Sequence, residues 1–201
     1  MGAGLEPIGD RALHVVVDMQ RVFAEDTAWR VPTFWDVMPA ISKLCRACPE
    51  AAIFTRFITP MQGRDVPGRW QHYYRHWPTV TLDKMDKTLL DLVVPLAELV
   101  PLAMVCDKSA YSAFESESFT AILARHQPDT LIISGVETDV CVLATVYAAV
   151  DRGLRVVIPA DGVTSWSLAG HRAVLESVYP RLDKQIDVAS SAEILNAWGR
   201  G

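Results

Sequence analysis

The strongest constraint on this chain is a recurring pattern. A short, unbroken apolar run rich in β-branched residues is followed each time by a segment with helical spacing. Ala12–Val17 (ALHVVV), Ala51–Phe57 (AAIFTRF), Ala103–Cys106, Thr130–Ser134 (TLIIS), Arg155–Pro159 (RVVIP) and Gln185–Val188 are the runs. They lack the alternation of a half-exposed strand, so they read as strands buried on both faces. Pro32–Ala47 carries helical spacing at Phe34, Val37, Met38, Ile41 and Leu44. Further helices are predicted over Ser116–Arg125, Thr138–Arg152, Leu168–Val178 and Ser191–Trp198. Ser116 is the N-cap of the first of these, Gly153 closes the second, and Ser190 or Ser191 caps the last. Leu89–Leu99 is helical or irregular, because Pro95 interrupts it. The pattern predicts one α/β domain over residues 1–201, a three-layer fold with a six-stranded parallel sheet flanked by helices.

A parallel sheet of this kind binds ligands at the carboxyl ends of its strands. The residues just past the strands are Asp18, Phe57, Lys108, Gly135–Cys141 and Asp161. Three of them have complementary chemistry. Cys141 falls in the first turn of a helix, where free N–H groups and the helix dipole favour a thiolate. An ammonium at Lys108 would lower the thiol pKa further. A carboxylate at Asp18 could take the thiol proton and return it to a leaving group. Each residue taken alone also has a structural reading: a small core cysteine, a turn aspartate, a solvated lysine.

The chain has 201 residues, half of them hydrophobic and 21% charged, with a formal net charge of −5. That balance fits an ordinary globular protein and argues against nucleic acid as a partner. Met1 to Gly9 shows no positive charge before an apolar run and is not read as a secretory signal. Leu92 to Cys106 is broken by Pro95, Glu98 and Pro101, so no membrane span is expected. Of Cys45, Cys48, Cys106 and Cys141, the first two form a CxxC without a second pair to complete a zinc site. Reduced thiols and a cytoplasmic location are the expectation.

The segments VVVDMQRVF (15–23), DKSAYSAF (107–114) and SGVETDVCVLATVYAAVDRGLRVVIPADGV (134–163) resemble the isochorismatase-like cysteine hydrolases. The resemblance runs from the first strand to the last helix and implies a Rossmann-like strand order. It implies Cys141 as nucleophile, Asp18 as general base and acid, and Lys108 as their electrostatic partner. It also implies a cis peptide between Val136 and Glu137, with the N–H groups of Glu137 and Cys141 forming an oxyanion hole. The activity implied is cleavage of a carbon–nitrogen bond in a small-molecule amide, ureide or carbamoyl compound, by a homo-oligomer (dimer or tetramer). Vinyl-ether hydrolysis of the isochorismatase type is the alternative, and a non-catalytic ligand-binding protein is a third. Nicotinamidases of the family hold a metal through an Asp-x-His pattern after the second strand. Here that stretch is Phe57-Ile58-Thr59, so no metal and no cofactor is expected.

The connection from Ile58 to Lys87 is rich in Pro, Gly and aromatic residues. Trp70, Tyr74 and Trp77 are expected to close over the substrate, with Phe23 and Tyr111 lining the pocket. Packing at a subunit contact is the alternative for these rings. His72 and His76, spaced i, i+4, are read as part of the same segment rather than as metal ligands. His14, His126 and His171 receive no functional role, and Asp139 is read as capping or supporting the start of its helix.

Overall fold

The strands form where the apolar runs fall, and parallel pairing carries them into one sheet. The computed structural model describes residues 4–201. The first three residues, part of the N-terminal segment examined for a secretory signal, lie outside the described residues. In chain order the elements are β1 (Ala12–Val17), α1 (Arg21–Ala24), α2 (Met38–Ala47), β2 (Ala52–Phe57), α3 (Trp70–His76), α4 (Val94–Ala97), β3 (Met104–Lys108) and α5 (Glu117–His126). They continue with β4 (Thr130–Gly135), α6 (Leu143–Val150), β5 (Arg155–Pro159), α7 (Leu168–Ala173), β6 (Ile186–Ala189) and α8 (Ser191–Ala197). The six strands run parallel in the order β3-β2-β1-β4-β5-β6.

The order reverses at β1, which pairs with β2 on one side and β4 on the other. The crevice outside the ends of β1 and β4 is therefore the switch point where such sheets bind ligands. Alternate residues of β1 feed two cores. Leu13, Val15 and Val17 join Val142, Val146 and Phe119 on one face, while Val16 joins Phe34, Ile41 and Phe54 on the other. Burial on both faces is the physical reason that these strands show no alternation.

Several boundaries differ from the sequence expectation, each for a local reason. β3 runs on through Asp107 to Lys108, because Lys108 pairs in register with Phe57. The helix expected over Pro32–Ala47 begins only at Met38, after a tight turn at Phe34–Asp36. α1 and α3 lie in stretches without a clear apolar period and were not predicted. The long helix after β4 opens as a wide turn at Thr138–Val142, in which the Val142 N–H reaches back five residues to the Glu137 carbonyl. A second wide turn, Val174–Val178, extends α7. The caps at Ser116 and Ser190 are present, the latter with Glu193 as a full capping box.

Candidate active site

The three residues singled out at strand ends come together at the switch point. Asp18 ends β1 with φ of 54°, a left-handed conformation that Asp tolerates better than most residues. That turn is held by the Asp18 N–H, which donates to the Thr55 carbonyl and to Thr55 Oγ1. The carboxylate is fully buried, with a donor on each oxygen. Its Oδ1 accepts from Thr55 Oγ1 at 2.7 Å and its Oδ2 from Lys108 Nζ at 2.7 Å. Lys108 also donates to the Ala110 carbonyl at 3.1 Å, and its Nζ lies 4.8 Å from the centre of the Phe57 ring. Both partners of this ion pair have side chains with no exposure. Gln20 fixes the floor: it accepts from the Phe57 N–H at 2.7 Å and donates to the Phe57 and Leu90 carbonyls.

Cys141 sits in the wide turn after β4. Gly135 is what allows that turn to start so close to β1. Its φ is 110°, and a Cβ there would collide with the Val17 carbonyl oxygen. The peptide joining Val136 to Glu137 is cis. The Cys141 carbonyl accepts from Thr145 Oγ1, which in turn accepts from the Ala113 N–H and so ties the turn to the loop after β3.

The electrostatics of the thiol differ from the expectation of a stabilised thiolate. Burial pushes the Cys141 thiol well above the usual thiol range; the Asp18 carboxylate pushes the same way, and Lys108 pulls it back only in part. Cys141 therefore rests as a neutral thiol beside a buried carboxylate, an arrangement that could pass the thiol proton to that carboxylate. All four cysteines are free.

Over Cys141 lies a cavity of about 350 Å3, counting its open mouth, lined by Phe23, Trp29, Phe57, Tyr73, Tyr111, Glu137 and Val140. Phe23 stacks on Trp29 with ring centres 5.7 Å apart, and Trp29 meets Phe57 edge-on at the same separation. Phe23 and Tyr111 thus line the cavity as expected from sequence. Tyr74 does not. It is buried behind α3 against Trp70 and Tyr73, and Tyr73 faces the cavity in its place. Adjacent helical residues point about 100° apart, so the two tyrosines cannot share one wall. Trp70 is set back from Cys141, packed on Tyr111 at 4.9 Å and lining a shallow cleft with Arg69. Trp77 lines a wider outer chamber.

Trp29 and Tyr73 were missed in the sequence. Trp29 stands in a loop without periodicity, and Tyr73 is indistinguishable from Tyr74 before the helix phase is known. Asp139 does not cap the helix: it accepts from Ser165 Oγ, while Glu137 occupies the cap position without a side-chain bond to the helix's own N–H groups. His171 contacts Thr138, with Nδ1 2.9 Å from Oγ1. Asp161 caps α8 through Ser191 and stays out of the site. His72 and His76 are both exposed; His76 borders the outer chamber and His72 does not. Among the described residues no group of three or more His, Cys, Asp or Glu is placed to hold a metal ion, and no helix is long and apolar enough to cross a membrane.

A parallel α/β sheet with a cysteine, a carboxylate and a lysine at its switch point defines a small class of proteins. The chain belongs to the isochorismatase family, whose isochorismatase domain matches residues 12–190. An uncharacterized isochorismatase family protein of Bacillus subtilis (strain 168) is 31% identical over 103 residues, 50% of this chain and 56% of that protein. The N-carbamoylsarcosine amidase of an Arthrobacter species is 24% identical over 177 residues, 80% of this chain and 64% of the amidase. The matches thus span about half to two thirds of the length of these curated relatives. The fold is that of the cysteine hydrolase from Pseudomonas syringae pv. phaseolicola 1448A, with a TM-score of 0.82 and 24% identity over 98% of this chain and 97% of that one.

Proposed function

We propose that this chain is a cysteine hydrolase that cleaves a carbon–nitrogen bond of a small molecule through a thioester. The observation that carries the reading is the convergence of Asp18, Lys108 and Cys141 beneath an apolar cavity at the switch point. In the proposed cycle Asp18 takes the thiol proton as Cys141 Sγ attacks the carbonyl carbon. The oxyanion is held by the backbone N–H groups of Glu137 and Cys141. Protonated Asp18 then gives its proton to the leaving nitrogen as the carbon–nitrogen bond breaks. Water, activated by Asp18, attacks the thioester; the acid leaves and the thiol is restored. Lys108 balances the carboxylate throughout.

The similarity to an N-carbamoylsarcosine amidase supports a carbon–nitrogen bond as the target. The donor set supports chemistry without a metal, since Phe57 puts a ring where the metal-binding members carry an aspartate. The test is ammonia release from a panel of amides, ureides and carbamoyl compounds, with Cys141→Ala as the blank. Release by the parent alone is expected. Comparable release by Cys141→Ala overturns the assignment.

A further inference from the structure

A second chamber adjoins the cavity over Cys141, and the walls of both are one-sided in charge. The two spaces share Trp29, Tyr73 and Glu137. The outer chamber takes in about 680 Å3 with its mouth and adds Trp77, Trp166 and, at the rim, His76. Trp166 is exposed and free to meet a ligand. Among the described residues, no Lys or Arg lines either space, and Glu137 is the one carboxylate that does. Glu137 is held in place: Ser165 Oγ and the Trp166 N–H both donate to its Oε2, at 2.9 and 2.8 Å. Its Oε1 has no such bond among the described residues. Lys108 cannot serve an anion here, because its ammonium is spent on Asp18 and the Ala110 carbonyl below the cavity.

Indole and phenol faces and a fixed carboxylate attract the same kind of group, a weakly hydrated organic cation. An anionic group meets the opposite field and finds no guanidinium or ammonium to pair with. We propose that the outer chamber selects substrates whose non-reacting end is an alkylammonium group, which places the scissile carbonyl over Cys141. The inference rests on the cysteine-hydrolase reading and names the substrate class for it.

Three amides of matched shape test it: 3-(trimethylammonio)propanamide, its tert-butyl isostere 4,4-dimethylpentanamide, and succinamate. Binding is measured calorimetrically on Cys141→Ala, with Cys141→Ser in its place should the first variant not fold. The ammonium compound is expected to bind about tenfold or more tightly than succinamate, and several-fold more tightly than the tert-butyl compound. Glu137→Gln should lower affinity for the ammonium compound about fivefold and leave the tert-butyl compound unchanged. Trp77→Ala and Trp166→Ala should each weaken the ammonium compound about three- to fivefold. Succinamate binding as tightly as the ammonium compound, or an unchanged ammonium to tert-butyl ratio in Glu137→Gln, overturns the proposal. Ammonia release by the parent protein separates the two readings. Release without any charge order in binding sinks the cation chamber alone. The charge order without release from these amides or from the ureides and carbamoyl compounds sinks the hydrolase reading and leaves a chamber that binds cations but selects no substrate.

Discussion

Cys141 and Cys45, both buried, stand beside groups able to take a proton, and they invite opposite conclusions. Cys141 lies with Asp18 and Lys108 past the ends of the strands. Cys45, on α2, lies with its sulfur 3.5 Å from His14 Nδ1, and His14 Nε2 lies 2.8 Å from Ser134 Oγ. By residue type the second cluster is the more familiar nucleophile set. Yet His14 is in the middle of β1, Ser134 is inside β4, and all three residues are shut in the core. Burial drives the imidazole pKa down to about 3 and the Cys45 thiol up to about 12, so both rest neutral. The cluster is a satisfied polar link between helix and sheet. The three residues of β1 that separate His14 from Asp18 make the difference between a core contact and a site facing a cavity.

Exchanging the two cysteines in turn gives the largest contrast. Cys141→Ala should lower kcat/KM at least about a thousandfold, the scale seen when a nucleophile is lost. Cys45→Ala should leave kcat/KM within about twofold and cost about 1–2 kcal/mol of stability in urea unfolding, from a small cavity and a lost contact. Equal losses of activity in the two variants would erase the distinction.

The charged cluster should also be the more fragile one. Lys108→Met keeps the length of the side chain but strands the Asp18 carboxylate in the core. A stability loss of about 3–5 kcal/mol is expected, as when one partner of a buried ion pair is removed. An effect under about 1 kcal/mol in denaturant unfolding would mean that Thr55 alone suffices for that carboxylate.

Acid titration probes the neutral cluster instead. Folding lowers the His14 pKa from the ordinary 6.5 to about 3. Between those values the unfolded chain holds a proton that the folded chain does not. The stability His14 supports is therefore complete above pH 6.5 and is lost as pH falls towards 3, by about 1.4 kcal/mol per pH unit. His14→Gln should flatten that part of the stability profile relative to the parent. Parallel profiles for the two proteins would place the acid sensitivity elsewhere.

The same contrast explains what the sequence made legible. Strand cores could be read because burial on both faces demands unbroken β-branched runs, and a parallel sheet then points to residues at strand ends. Asp18, Lys108 and Cys141 follow from that logic, and the family resemblance covers the same segments. The walls of the cavity do not follow from it. Trp29 comes from an aperiodic loop, and α3 is a seven-residue helix in a stretch rich in Pro, Gly and aromatics, so its phase is set by tertiary packing. That phase decides that Tyr73 and not Tyr74 meets the cavity over Cys141. The thiol pKa is not legible in the sequence for a related reason. Helix position and a nearby lysine can be seen in sequence, whereas the desolvation that outweighs them appears only when the core is assembled.

The smallest expected effect concerns how completely the two regions satisfy their polar atoms. Both ring nitrogens of His14 have partners. At the site, Trp29 Nε1 is buried without one. Trp29→Phe keeps an aromatic ring facing Phe23 and Phe57 but removes that donor. The area lost should then be offset by relief of an unpaired N–H, an effect of about 1–3 kcal/mol. The net change in unfolding free energy should stay within about 1 kcal/mol of the parent, against the larger losses usual for truncating a core aromatic residue. A loss above about 2 kcal/mol would show that the indole N–H is satisfied in solution by a bound water. The site would then be as fully paired as the His14 cluster, and access to the cavity would separate the two cysteines.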